Sequence, residues 1–241
     1  AGSSHLDAFV HDHADLLACD VVLVSDTTMA GKEQPSVMTG LRGLSYFEIT
    51  VKGPSRDLHS GHFGGAVVNP CTVLCQMITA LHDDKKRITI PHFYDDVVEV
   101  SPQERAEMDK LPFDMERYKN NVGVQEVAGE EGYNTRERAT IRPALDVNGI
   151  WGGYTGEGAK TILPAEAHAK ISIRLVPDQD PEKVNRMFVD YFKSLAPAGV
   201  TVEVTPTQGA YPYVTPVSGK AYRAAADALT KVYGKPAVPV R

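Results

Sequence analysis

The stretch "LSYFEITVKGPSRDLHSGHFGGAVVNPCTVLCQMITALHDD" (44–84) changes periodicity partway along, and that change decides the fold. Over 44–53 the residues alternate, with Tyr46, Glu48, Thr50 and Lys52 set against Phe47, Ile49 and Val51, as in a strand covered on one face. Over 69–84 the apolar positions fall at 71, 74, 75, 78 and 81, a helical spacing, and Pro70 takes a permitted first-turn position. Between strand and helix lies a loop with two histidines, His59 and His62, among Gly61, Gly64 and Gly65. Glycines leave that backbone free to adopt dihedrals closed to other residues.

Working outward, "ALDVNGIWGG" (144–153), "AEAHAKISIRLVP" (165–177) and "VTVEVTPTQ" (200–208) predict three further strands. "DPEKVNRMFVDYFKSL" (180–195) predicts a helix, with Asp180 as N-cap, Pro181 after it, and Val184, Met187, Phe188 and Tyr191 in the core. The order β-α-β-β-α-β defines an α+β, ferredoxin-like domain over about 40–212. Residues 85–143 form a charged insertion within it, with helical patterns near 101–110 and 113–122.

The flanks read differently. "HLDAFVHDHADLLA" (5–18) predicts a helix, and "CDVVLVSD" (19–26) an unbroken apolar strand buried on both faces, as in a parallel sheet. The tail "VSGKAYRAAADALTKVYG" (217–234) predicts a helix stopped by Gly234. Residues 1–39 and 213–241 are therefore expected to be pieces of an incomplete α/β layer.

Composition narrows the function. With 42% hydrophobic and 23% charged residues the chain is of the soluble globular type, and a net charge of −6 offers nothing to nucleic acid or an anionic membrane. No apolar run approaches the roughly 20 residues a membrane helix requires. Three cysteines, Cys19, Cys71 and Cys75, fit no disulfide framework and suit a reducing, cytoplasmic setting. Cys71 and Cys75, four apart on a helix, are expected to be buried small hydrophobes.

Five features invite a chemical reading. "GGYTGEGAKT" (152–161) mimics a phosphate loop, but Ala159 separates Gly158 from Lys160 and the loop joins two strands, so nucleotide binding is rejected. Its last residue, Thr161, sits either in a plain hairpin turn or in a carboxylate cradle. Asp26 ends a predicted strand, where it either caps a turn or meets a ligand at the sheet's carboxyl edge. Arg174, alone in an apolar strand, either projects onto the open face or awaits a carboxylate for its fork. His59 is either a structural loop residue or a functional one. By contrast His11 and His13 are read as surface residues, and Glu130-Glu131 as a solvated pair in a polar insertion.

Three ordered segments, "SDTTMAGKEQPSVMTGLRGLSYFEITVKGPSRDLHSGHFGGAVVNP", "GAKTILP" and "SIRLVPDQDPEKV", resemble the di-zinc metallopeptidase family (M20) of aminoacylases, carboxypeptidase G and carnosine dipeptidases. The dipeptidase branch is the nearest, and the likeness runs the length of the chain. The resemblance implies an α/β catalytic domain holding two divalent metals, zinc or manganese, and a ferredoxin-like lid that makes a homodimer. Metal-activated water would then cleave a dipeptide or an N-acyl amino acid. It further implies a metal-ligand role for Asp26 and a substrate-carboxylate role for Arg174. Thr161 becomes a neighbouring substrate contact. His59 becomes a lid histidine that reaches the partner subunit's site and stabilises the oxyanion, worth about 3 kcal/mol.

The family's His-x-Asp motif, bridging aspartate, catalytic glutamate and final histidine ligand have no counterpart here. "AGSSHLDAFV" resembles the segment directly after the family's Glu-Glu pair, apart from a "GS" that a vector scar would also supply. One ligand cannot hold zinc, so the expectation is a lid-bearing fragment that is inactive and binds no metal alone. The competing expectation is a non-catalytic ferredoxin-like module for dimerisation or small-carboxylate binding.

Overall fold

The computed structural model describes residues 5–27, 29–31 and 33–241, and the first letters of the N-terminal stretch lie outside them. The chain divides into two compact units. One comprises Thr39–Thr215 with Arg241; the other comprises the segment up to Met38 and Pro216–Val240.

The larger unit is built on four antiparallel strands: β1 (Gly43–Lys52), β2 (Ala144–Gly152), β3 (Glu166–Leu175) and β4 (Thr201–Ala210). Their order is β2-β3-β1-β4, the ferredoxin-like arrangement that β-α-β-β-α-β connectivity produces. Helices α1 (Pro70–Thr79) and α2 (Pro181–Ser194) complete it. Each begins with a side-chain cap followed by proline: Asn69 Oδ1 accepts from the Cys71 amide at 2.9 Å, and Asp180 Oδ1 accepts from the Glu182 amide at 2.7 Å.

Period two on the strands meets period 3.6 on the helices in one core. Phe47, Ile49 and Val51 of β1 and Ala167, Ala169, Ile171 and Ile173 of β3 pack against Val73, Leu74 and Met77 of α1 and Val184, Phe188 and Phe192 of α2. Phe47 and Phe188 stack at 4.1 Å between ring centroids. Both helices therefore cover one face, and Arg174, out of phase with the core residues of β3, is left on the other. That open face is polar, with Lys170 bridging to Glu48 at 3.0 Å across the strands.

The insertion is anchored by Ile88, Ile90 and Phe93, which join the core. It carries helices at Pro102–Asp109, Met115–Val122 and Thr135–Thr140, the last closed by a capping box between Asn134 and Glu137. Its charges are not simply solvated. Glu130 is buried and receives Arg142 in a bidentate pair, Nε to Oε2 at 2.8 Å and Nη2 to Oε1 at 2.7 Å. The solvated reading holds only for Glu131, which is exposed. The cysteine reading also needs revision: Cys75 is exposed and Cys71 half-buried, because Val73, Leu74 and Met77 occupy the core face of α1.

In the smaller unit the helices Leu6–Asp12 and Ala14–Leu17 and the helix Lys220–Tyr233 bury no residue fully, and Ser36–Met38 pairs in parallel with Val238–Val240. Gly234 ends the last helix in the left-handed region, with φ 67°, as expected. The apolar run differs from expectation. Residues 19–26 form no strand, and Val22 and Leu23 are 75% and 81% exposed. A strand buried on both faces needs hydrogen-bonding neighbours and helical cover, and the described residues place neither beside this run. No helix among them is long and apolar enough to cross a membrane.

Candidate functional site

Beyond the end of β1 the chain turns at Gly53, whose amide donates to Ala165 O at 2.8 Å, and the Ala165 amide donates to Asp57 Oδ1 at 2.9 Å. These bonds bring the histidine loop beside the segment that leads into β3. Leu58–His59 then pairs antiparallel with Ile162–Leu163, and the Ser60 amide donates to Thr161 O at 3.0 Å. Two loops far apart in sequence become a single rigid corner.

His59 caps the one-turn helix Ser60–Phe63. Its Nδ1 accepts from the Gly61 amide at 3.0 Å, and its Nε2 lies 3.5 Å from Thr161 Oγ1. The His62 ring stands 4.9 Å away, tilted by 49°. Each of these side chains is exposed. Two glycines here have a steric reason. A Cβ on Gly61 would lie 2.7 Å from His59 Cε1, and Gly65 has φ +82°.

Arg174 lies at the other end of the sheet. It pairs with Leu44 and Ala144, whereas the corner follows Lys52, the partner of Glu166. Eight residue steps of β3 separate Glu166 from Arg174, about 26 Å at strand rise. Arg174 is exposed and has no ion pair among the described residues. Arg42 stands close by. Its burial, together with the charge of Arg174, pulls its pKa down, against a smaller upward pull from Asp146. Arg42, His82, Arg138 and Asp146 help line a cavity of about 590 Å³ at this end.

Asp26 belongs to the smaller unit, where it is exposed in a segment without regular structure. Among the described residues no three or more His, Cys, Asp or Glu side chains gather as a metal would require. The fold thus unites His59 with Thr161, sets Arg174 far from both, and leaves Asp26 in the other unit.

Sequence reasoning missed the short ladder that joins the two loops, since pairing across about a hundred residues has no local signature. It also passed over Arg42, whose only signal was its place two residues before Leu44, the partner of Arg174.

A family profile described as "Peptidase dimerisation domain" matches residues 39–200. The Cys-Gly metallodipeptidase dug1 of Schizosaccharomyces pombe is 38% identical over 192 residues, which is 79% of this chain and 40% of that protein. The human Beta-Ala-His dipeptidase is 30% identical over 244 residues, covering 97% of this chain and 47% of its own. Among solved structures, the M20 family metallo-carboxypeptidase Sso-CP2 from Sulfolobus solfataricus superposes with a TM-score of 0.86 at 32% identity, over 98% of this chain and 53% of that one. The chain spans about half the length of the curated relatives it matches.

Proposed function

This chain belongs to the M20 peptidase family, and from that premise we propose that it is the lid and dimerisation region of a metal-dependent dipeptidase. Residues 40–212 are the lid, and 1–39 and 213–241 are portions of the catalytic domain. The substrates are dipeptides or N-acyl amino acids, and an assembly of this chain alone does not turn them over. Free thiols at Cys19, Cys71 and Cys75 suit a reducing, cytoplasmic setting.

Such substrates share a free carboxylate one residue from the scissile amide. Arg174 grips that carboxylate through its planar fork. His59 donates from its ring to the oxygen that gains charge as the carbonyl becomes tetrahedral. Thr161, 3.5 Å from the imidazole, supplies a hydroxyl to the same substrate.

One observation carries this reading: the distance along β3. An extended dipeptide spans about 7 Å, whereas Arg174 and the His59 corner lie at opposite ends of a strand that runs ten residues. One chain cannot hold both ends of one dipeptide with these groups, but two chains can. Arg174 then serves its own subunit's site while His59 and Thr161 serve the partner's. Strand β2 is an edge of the sheet and exposes Val147, Ile150 and Trp151, which provides a surface for two-fold pairing of lids.

The relatives' names imply a metal, and the family resemblance points to zinc or manganese. Asp26 is this chain's one residue matched to a ligand, and zinc takes three or four protein ligands. The described residues do not make that centre.

Mixed dimers test the assignment. In the complete enzyme, His59→Ala and Arg174→Ala proteins are each expected to be nearly inactive. Their heterodimer regains one intact site, about half the activity of a wild-type dimer. No recovery on mixing would mean that both groups act within one subunit.

A further inference from the structure

We propose that the backbone amide of Gly61 is a positioning group that locks His59 in the Nε2–H tautomer, so that the imidazole offers the reaction a hydrogen-bond donor and not a base. The inference rests on the reading of His59 as an oxyanion donor and adds the physical device that makes it one.

A neutral imidazole carries one N–H, and its other nitrogen accepts. A backbone amide can only donate. The Gly61 N–H is directed at His59 Nδ1 over 3.0 Å, so Nδ1 is the acceptor and the ring proton resides on Nε2. To act as a base through Nε2, His59 would need its proton on Nδ1, where two donors would face each other. The cap therefore selects the chemistry. Histidine is also not among the preferred N-cap residues, for which Ser, Thr, Asp and Asn serve better. The gain from placing it here lies in the proton's position.

The surroundings hold that arrangement. His59 has extended backbone, φ −75° and ψ 119°, fixed by its ladder pairing with Ile162 and by the Ser60 amide bond to Thr161 O. Only glycine at position 61 lets the amide approach, because a Cβ there would meet Cε1 at 2.7 Å and Nδ1 at 3.0 Å. On the other side of the ring, Nε2–H points toward Thr161 Oγ1 over a long 3.5 Å. That acceptor is held loosely, so a substrate oxygen can replace it. The Thr161 hydroxyl, accepting from His59, keeps its own proton free to donate.

The test is nuclear magnetic resonance of this chain with nitrogen-15 in place. The expected result is a scalar coupling across the hydrogen bond between Gly61 N and His59 Nδ1, together with a pyridine-type Nδ1 and a pyrrole-type Nε2. Gly61→Ala is expected to abolish the coupling and release the ring to a mixture of tautomers. A protonated Nδ1 in the native chain would overturn the proposal, as would ring shifts that Gly61→Ala leaves unchanged. The native spectrum decides even if the variant folds poorly. In the complete enzyme, Gly61→Ala should lower kcat about tenfold with KM held within about twofold. His59→Ala there separates the two readings: unchanged kcat in that variant, beside an intact coupling in the native chain, defeats the oxyanion role alone, and lost kcat where the native chain shows no coupling defeats the lock alone.

Discussion

Arg142 and Arg174 are the same residue type in the same compact unit, one just ahead of β2 and the other near the end of β3, yet they live in opposite circumstances. The Arg142 side chain is 3% exposed and spends its donors on Glu130 and Glu99. It also lies over the Tyr133 ring at 4.2 Å. Burial works against its charge, but the bonded carboxylate of Glu130 and smaller pulls from Tyr133 and Glu99 together push its pKa up. Arg174 is exposed, unpaired by any carboxylate among the described residues, and close enough to Arg42 to disfavour that residue's charge. A satisfied, buried pair holds an insertion in place. An unsatisfied, exposed guanidinium keeps its donors for something that arrives from outside.

Substituting each arginine is the strongest way to break this contrast. Arg142→Met removes both hydrogen bonds of the bidentate pair and leaves the buried Glu130 carboxylate with the more distant Arg87, at 3.8 Å. It should cost about 3 kcal/mol in denaturant unfolding. Arg174→Met should stay within about 0.5 kcal/mol. Equal losses would erase the distinction between a structural arginine and the one proposed to bind a carboxylate. Next in size is the edge strand. Trp151→Lys places a charge on the exposed margin of β2 and should weaken lid pairing by about 2 kcal/mol or more, read by sedimentation as a concentration-dependent monomer.

Acidity sharpens the comparison from the buried side. Burial disfavours the charged Glu137 carboxylate, but hydrogen bonds from Arg105 and the Asn134 amide, with the charges of Arg105 and Arg138, hold its pKa below the ordinary 4.5. A depressed carboxylate contributes stability that is complete above its unfolded pKa and lost as pH falls through the folded one. Unfolding free energy should therefore drop below about pH 4.5, and Glu137→Gln should flatten that slope. A slope unaltered by the substitution would remove Glu137 from the account. The smallest effect belongs to Lys52 and Glu203, bonded at 2.6 Å but about half-exposed. Lys52→Met should change stability by less than about 0.5 kcal/mol, and added salt should shrink even that.

The core was legible because its signals are local. Alternation at Phe47, Ile49 and Val51, Pro70 in a first turn, the cap at Asp180, and the helical spacing of Val184 and Phe188 each speak within a few residues. The stretch 19–26 was misread for the opposite reason: an apolar run makes a buried strand only where neighbouring strands and helices cover it, and the described residues place none beside it. Glu130 looked solvated because nothing near it in sequence announces Arg142, twelve residues on, folding back over it.

What the sequence determined alone is the kind and order of the elements, and with them the ferredoxin-like sheet, because hydrophobic period and capping act over single turns and strands. It also singled out His59, Thr161 and Arg174 as candidate site residues. Tertiary structure alone decided their relations. The imidazole meets a hydroxyl 102 positions away, while the arginine near the far end of β3 lies a full strand's length off. Those distances follow from ladder register, a pairing between remote segments that no local pattern encodes.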